Sequence, residues 1–392
     1  MPRLVRDRLT WLTYAQLAAF GYFFYGFGPV VPLLRDEQHT SRTVASLHGT
    51  AFAVGAVVGG AVLPRLVGRF GRPTVIWTGL TGVAFATLGL WLSHALPATL
   101  TWAFVASMCG SFVVNGVTAA LSDHHGPGGP AAISEANAVA AGIGLIAPLV
   151  VGAAVAAGLG WRPGLAVVVG VIILLAVVAV TFRVPAPPTA VTGPGIGAGR
   201  LPRLFWAAWA SLIATGSVEV CLNLWVADVL RTHASVSPGA ATAAVSGIVA
   251  GMCLGRAAGS PLLMRLPAST VMLGALALSS VGFAVFWLAS APWLAILGLV
   301  VTGLGNALHF PLGLALAIAN SGGQPDLATS RISYALGISF GVAPFLLGAI
   351  ADGIGPHLAF LLLPALLASS AAAILVLRRA SVPAVSAAAT GP

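Results

Sequence analysis

Charge is the scarcest property of this sequence. Only 7% of the 392 residues are Asp, Glu, Lys or Arg, against about 25% in a typical soluble domain. That is too little polar surface to keep a globule in water, so an ordinary soluble enzyme and a disordered chain are both excluded. Lysine is absent: all 18 basic residues are Arg. Without Lys there is no P-loop, and a self-contained ATP-driven pump is excluded with it. The net charge is +9, but the arginines stand scattered between apolar runs and form no patch for nucleic acid. Cysteine is also rare. Cys109, Cys221 and Cys253 all lie inside apolar runs, as buried small hydrophobes do, and their number and spacing suggest neither a disulfide framework nor a metal or redox site. No Ser, His and Asp set has a spacing that suggests nucleophilic catalysis. The sequence therefore predicts neither an enzyme nor a cofactor.

Apolar length is what the chain does have. Its apolar residues make up 58% and its mean hydropathy is +0.99. A membrane helix needs about 20 mostly apolar residues. Twelve segments qualify: 10–33, 44–64, 74–94, 99–121, 133–157, 163–182, 204–229, 240–263, 269–289, 293–319, 332–351 and 358–377. Period-2 alternation is absent and the runs are too long for strands, which removes the closed barrel. Residues Met1 to Trp11 lead into the first run without a small-residue cleavage site and are read as the start of a membrane helix. Arginines set the orientation. With the N-terminus inside, the cytoplasmic ends hold Arg3, Arg6, Arg8, Arg65, Arg69, Arg72, Arg183, Arg200, Arg203, Arg265, Arg331, Arg378 and Arg379. The outer loops hold only Arg35, Arg42, Arg162 and Arg231, and Arg256 falls within a span. The expected placement is a multi-pass protein of a bacterial cytoplasmic membrane with both termini cytoplasmic.

The chain also repeats itself at an offset of half its length. Arg35 falls on Arg231, Gly55 and Gly59 on Gly251 and Gly255, and Arg69 on Arg265. Trp91-Leu92 falls on Trp287-Leu288, Ala147-Pro148 on Ala343-Pro344, and Gly152 on Gly348. The Arg and Trp matches carry the inference, because those residues are scarce here. A shift by six spans preserves orientation, so the fold class is all-α, with twelve transmembrane helices in two parallel six-helix repeats. Such repeats belong to secondary transporters with a central cavity between halves. The expected organisation is a first bundle at 1–184, a Pro/Gly-rich cytoplasmic linker at 185–203 and a second bundle at 204–392.

Arg65-Leu66-Val67-Gly68-Arg69-Phe70-Gly71-Arg72-Pro73 follows the second span. It resembles the G-x-L-x-D-R-x-G-R-R loop of the major facilitator superfamily at Arg69, Gly71 and Arg72, and departs from it at Pro64 and Gly68. Gly160-Trp161-Arg162 before the sixth span is similar to that family too. Ala147-Pro148 with Gly152 in the fifth span resembles its antiporter motif. Because the eleventh span repeats the pattern, the motif reads better as helix-packing architecture than as a marker of antiport. The resemblance covers nearly the whole chain. It implies alternating access and a cavity lined by spans one, four, seven and ten.

An ionisable residue at mid-membrane depth is the strongest functional signal available. Glu219 is that residue. It stands ~24 Å along a helix from Arg203 and ~18 Å from Arg231. A protonated Glu is cheaper to bury than an ionised one, so Glu219 is the expected proton-coupling group; hydrogen-bonded packing between helices is the competing reading. Ser211, Thr215, Glu219 and Asn223 recur at i+4. Span four carries Ser107, Ser111, Asn115 and Thr118; span ten carries Thr302, Asn306 and His309. His309 is a second proton candidate. Expected substrate contacts are Tyr22, Tyr25, Asn115, Asn223, Asn306 and His309, with Arg256 added if the substrate is anionic. Arg69, Arg72, Asp123, Glu135, Arg265 and Arg331 are expected to close a cytoplasmic gate through ion pairs.

The expected function is proton-coupled efflux of a small amphipathic compound by a monomer in the lipid bilayer. Its expected partners are that small-molecule substrate and protons. Two alternatives stand beside it: proton-coupled uptake of a small polar nutrient or organic anion, and a membrane receptor or scaffold without flux.

Overall fold

The computed structural model describes residues 6–184, 200–263 and 265–380. Within them, twelve helices are long and apolar enough to cross a membrane. In chain order they are α1 Arg8–Gln38, α2 Arg42–Phe70, α3 Arg72–Leu92, α4 Leu96–His125, α5 Ala131–Ala156 and α6 Arg162–Thr181, then α7 Arg203–His233, α8 Pro238–Arg256, α9 Ala268–Leu288, α10 Pro292–Ala319, α11 Arg331–Ile354 and α12 Pro356–Ala380. Of the expected linker 185–203, residues 185–199 lie outside the described residues, and Arg203 already begins α7.

Local chemistry sets the helix ends. Asp7 caps α1, accepting from the Thr10 amide at 2.9 Å and from its hydroxyl at 2.7 Å. Ser41 caps α2 through the Val44 amide. Gly71 separates α2 from α3 with φ +78°, a conformation that costs glycine little. Several spans are not single rods. A 3-10 turn at Gly28–Val30 interrupts α1, and α8, α10 and α11 break near Val245, Ala307 and Val342.

The repeat is visible at the level of single contacts. A Cβ on Gly55 would meet the Phe104 carbonyl, and one on Gly251 would meet the Val300 carbonyl. Gly59 and Gly255 face the carbonyls of Met108 and Leu304 in the same way. Each pair is the other displaced by the sequence offset. Absent side chains let α2 approach α4, and α8 approach α10, to backbone contact. Between the halves the pairing is also two-fold: α2 packs on α11, α5 on α8, and α1 on α7. The helices α1 and α7 are the most enclosed, whereas α2 and α6 expose much of their apolar surface.

Polar contacts joining the halves cluster away from the chain termini. Ser46 donates to the Pro344 carbonyl at 2.8 Å, Thr50 to Gly341 at 2.8 Å and Ser246 to Leu145 at 2.8 Å. Beyond these, at the end opposite the termini, lies an ion-pair cluster described below. We call this the far end and the other the terminal end.

Candidate functional site

Between the halves, about midway along α7, lies a small cavity of about 30 Å³. Its wall is built by α1 (Phe24, Phe27, Gly28), α2 (Gly49, Phe52), α7 (Glu219, Val220, Asn223, Leu224) and α11 (Phe340). The rings form a connected set: Phe24–Phe52 at 5.8 Å, Phe24–Phe340 at 5.9 Å and Phe27–Phe52 at 6.3 Å between centroids. Glu219 retains part of its accessible surface and supplies the only carboxylate of that lining. Asn223 is buried, and its Oδ1 has no hydrogen-bond partner. A side chain at position 28 would collide with that carboxamide, so glycine there is what lets Asn223 reach α1.

Two charged or polar neighbours stand beside Glu219. Arg256 on α8 interacts electrostatically with Glu219 and with the Tyr25 hydroxyl, which in turn lies within the field of Glu219. Tyr25 packs against Gly144 of α5. Tyr25, Glu219 and Arg256 thus form one polar group contributed by both halves. Neither Tyr25 nor Arg256 is part of the cavity wall itself.

The other expected contacts lie elsewhere. Tyr22 is buried behind α1, and its hydroxyl donates to the Gly164 carbonyl at 2.7 Å, tying α1 to α6. Asn306 and His309 are buried within the second half. His309 Nδ1 bonds Asn306 Oδ1 at 2.7 Å, and Nε2 approaches Ser279 Oγ at 3.4 Å. Asn115 is exposed, donating to the Ser111 carbonyl at 2.9 Å on its own helix. The α7 stripe also divides. Ser211 bonds Ser370 of α12 at 2.7 Å, whereas Glu219 and Asn223 face the cavity. An i+4 row turns by roughly 40° per step, so twelve residues carry it about a third of the way round the helix.

Of the residues expected to gate the terminal end, Glu135, Arg72 and Asp123 pair inside the first half instead. Glu135 accepts from Arg6 at 2.6 Å and from Tyr14 at 3.1 Å, and Arg72 reaches Asp123 at 2.6 Å. The Arg69 guanidinium sits over Phe70 at 5.3 Å and that of Arg331 over Tyr334 at 5.7 Å; both residues and Arg265 are exposed. Glu135 and Arg331 are not brought together in this conformation. Asp7 beside the same cluster accepts from His124 at 2.8 Å; partial burial opposes ionisation there, but the bonds from Thr10 and His124 hold its carboxyl below the usual range.

The far end holds functional residues that the sequence reading missed. Asp228 of α7 is fully buried and accepts from Arg35 Nη1 at 2.7 Å and Arg42 Nε at 2.7 Å, both from the first half. Asp36 receives Arg231 at 2.6 Å, so each half sends an arginine to the other. Asp352 accepts the amides of Arg42 and Thr43 at 2.9 and 2.8 Å, capping α2 from α11. The signal available for Asp228 was its place inside the apolar run Cys221–Leu230, which a loop acid would not occupy. Glu37 is held separately by Arg162 at 2.6 Å and Trp161 at 3.2 Å, which gives the Gly160-Trp161-Arg162 motif its role: locking α6 to the end of α1.

Comparison with known proteins agrees with this geometry. The model of the Major Facilitator Superfamily matches residues 14–227, more than half of the chain. An uncharacterized MFS-type transporter, YceJ, of Bacillus subtilis (strain 168) is 25% identical over 111 residues, a stretch that spans 28% of this chain and 28% of that protein. A bacterial homologue of the human lysosomal transporter Spinster, in an inward-facing and unoccupied conformation, superposes with a TM-score of 0.70 at 15% identity, over 97% of this chain and 96% of its own. The nucleoside transporter NupG superposes with a TM-score of 0.77 at 13% identity, over 94% and 98%. At such identities the solved structures speak for the fold alone.

Proposed function

This chain belongs to the major facilitator superfamily of transporters, and from that premise we propose that it exports a small amphipathic compound in exchange for protons. The observation that carries the reading is Glu219, a lone acid in an aromatic wall, at mid-depth of α7 and between two repeats. A carboxyl in that position is cheap to bury when protonated and costly when charged. Proton and substrate therefore compete to neutralise it. The bundles 1–184 and 204–392, joined by 185–203, are the bodies that rock about the cavity. The far-end ion pairs support a conformation closed on that side. The arginine distribution supports cytoplasmic termini, which makes the far end extracytoplasmic and the terminal end the route of entry from the cytoplasm. The plasma membrane of a bacterium and a monomeric state complete the reading.

Arg256 favours a second reading, uptake of an organic anion, because its guanidinium stands beside Tyr25 and Glu219. Reconstitution in proteoliposomes with an imposed pH gradient tests both. Gradient-driven accumulation of an amphipathic compound from a panel is expected, and Glu219→Gln abolishes it while leaving a monodisperse, helical protein. Unchanged accumulation in that variant overturns the coupling role.

A further inference from the structure

We propose that the cavity selects hydrophobic cations, with Phe24, Phe27, Phe52 and Phe340 enclosing the apolar body and Glu219 neutralising the charge. The inference rests on the transport reading above and narrows it to a substrate class.

Three observations converge. First, the rings from α1, α2 and α11 form a chain around a single cavity, each about 6 Å from its neighbour, and aromatic faces attract cations through their quadrupole. Second, the charged side chain in the wall is an acid. The nearest cation, Arg256, meets Glu219 only electrostatically, and among the described residues neither belongs to an ion pair, so the carboxylate has no direct counter-ion. A ligand cation in the cavity supplies one. Third, the Asn223 carboxamide, more than nine-tenths buried at the same wall, leaves its oxygen without a protein partner. A protonated amine with aromatic substituents satisfies all three features, its N–H reaching the Asn223 oxygen; a permanently charged cation satisfies the first two. A neutral lipophile makes no use of the Glu219 charge, and an anion is repelled by it.

Tetraphenylphosphonium and tetraphenylborate carry the same four rings and opposite charge. Their binding to the full chain in nanodiscs, with empty nanodiscs subtracted, reads the selectivity directly. The phosphonium is expected to bind at least tenfold more tightly than the borate. Glu219→Gln is expected to weaken the phosphonium about tenfold. Phe52→Leu or Phe340→Leu weakens it about fivefold, and Phe52→Trp, which keeps the π-face, restores it. The Phe52 series keeps the test decisive if the Glu219 variant does not fold. Tighter borate binding that is lost in Arg256→Gln overturns the proposal, as does phosphonium binding insensitive to Glu219 and Phe52, or no binding of either probe. Flux driven by a pH gradient is assayed separately with amphipathic cations and anions. Driven flux of anions alone sinks the cation class and leaves proton-coupled transport standing. Phosphonium binding with no driven flux of any compound sinks the transport reading and leaves the cation site.

Discussion

At the scale of single residues, the molecule places its two most costly side chains at different depths and in opposite surroundings. Glu219 lines the cavity and, among the described residues, belongs to no ion pair, which is the setting the proposed coupling role requires. Asp228, two to three turns further along α7, is fully buried with two arginines of the other half on its two oxygens. Removing one partner of a buried pair costs about 3–5 kcal/mol, because the other charge stays behind unpaired. That penalty falls on the far-end-closed conformation alone if the pairs separate on opening. A differential of about 3 kcal/mol shifts the closed-to-open ratio by roughly 150-fold. We therefore expect Asp228→Ala to expose the cavity to the far side. The check is labelling of a cysteine placed at Phe52, in a background freed of Cys109, Cys221 and Cys253, by an impermeant maleimide added from that side. Labelling should rise steeply over the parent; an unaltered rate means that the cluster is not the far-end latch. Tyr22→Phe makes a contrasting prediction. It removes one buried hydrogen bond between α1 and α6, which costs about 1 kcal/mol of stability. Transport is expected to persist with a small loss of thermal stability in detergent.

At the scale of helices, glycine governs approach. A Val at Gly55 or Gly251 would drive its side chain into the backbone of α4 or α10, whereas the space beside Gly60 is open. Overpacking of this kind costs about 1–3 kcal/mol. Gly55→Val and Gly251→Val should lower the melting temperature by similar amounts, because the two contacts are repeat equivalents, and Gly60→Val should leave it unchanged. Unequal effects at 55 and 251 would count against residue-level equivalence of the halves.

The spans themselves were legible because twenty apolar residues in a row have few other uses, and most boundaries agree within a few residues. The exceptions have physical causes. The sequence stops α1 at 33 because Leu34-Arg35-Asp36-Glu37 reads as a charged loop, yet the helix runs to Gln38 because those charges find partners across the interface and in α6. The break within α11 falls just before Pro344, whereas those within α8 and α10 carry no punctuation that distinguishes them from the many tolerated glycines of this chain. Glu219 was legible as an acid inside an apolar run. Phe27, Phe52 and Phe340 were not, since an aromatic facing a cavity and one facing lipid look alike along the chain. Partner choice among charges was the least legible of all: Glu135 takes Arg6, although Arg331 occupies its repeat position, because neighbours depend on the conformation as well as on the fold.

At the scale of the whole molecule, the proposed function makes a far end joined by ion pairs, with Glu135 and Asp123 of the terminal end paired within the first half, one member of a cycle. The account requires a second member in which the far-end pairs have parted and terminal-end charges such as Glu135, Asp123, Arg69, Arg265 and Arg331 meet across the halves. A double exchange, Glu135→Arg with Arg331→Glu, is expected to retain transport at more than half the parent rate, whereas either single change lowers it several-fold. Its central claim is that Glu219 couples protons to a movement the halves can make without it. The most direct test compares two assays on Glu219→Gln in proteoliposomes at saturating substrate. The account predicts that substrate counterflow, which needs only rocking, survives, while accumulation driven by a pH gradient disappears. Loss of both together, or survival of both, would contradict it.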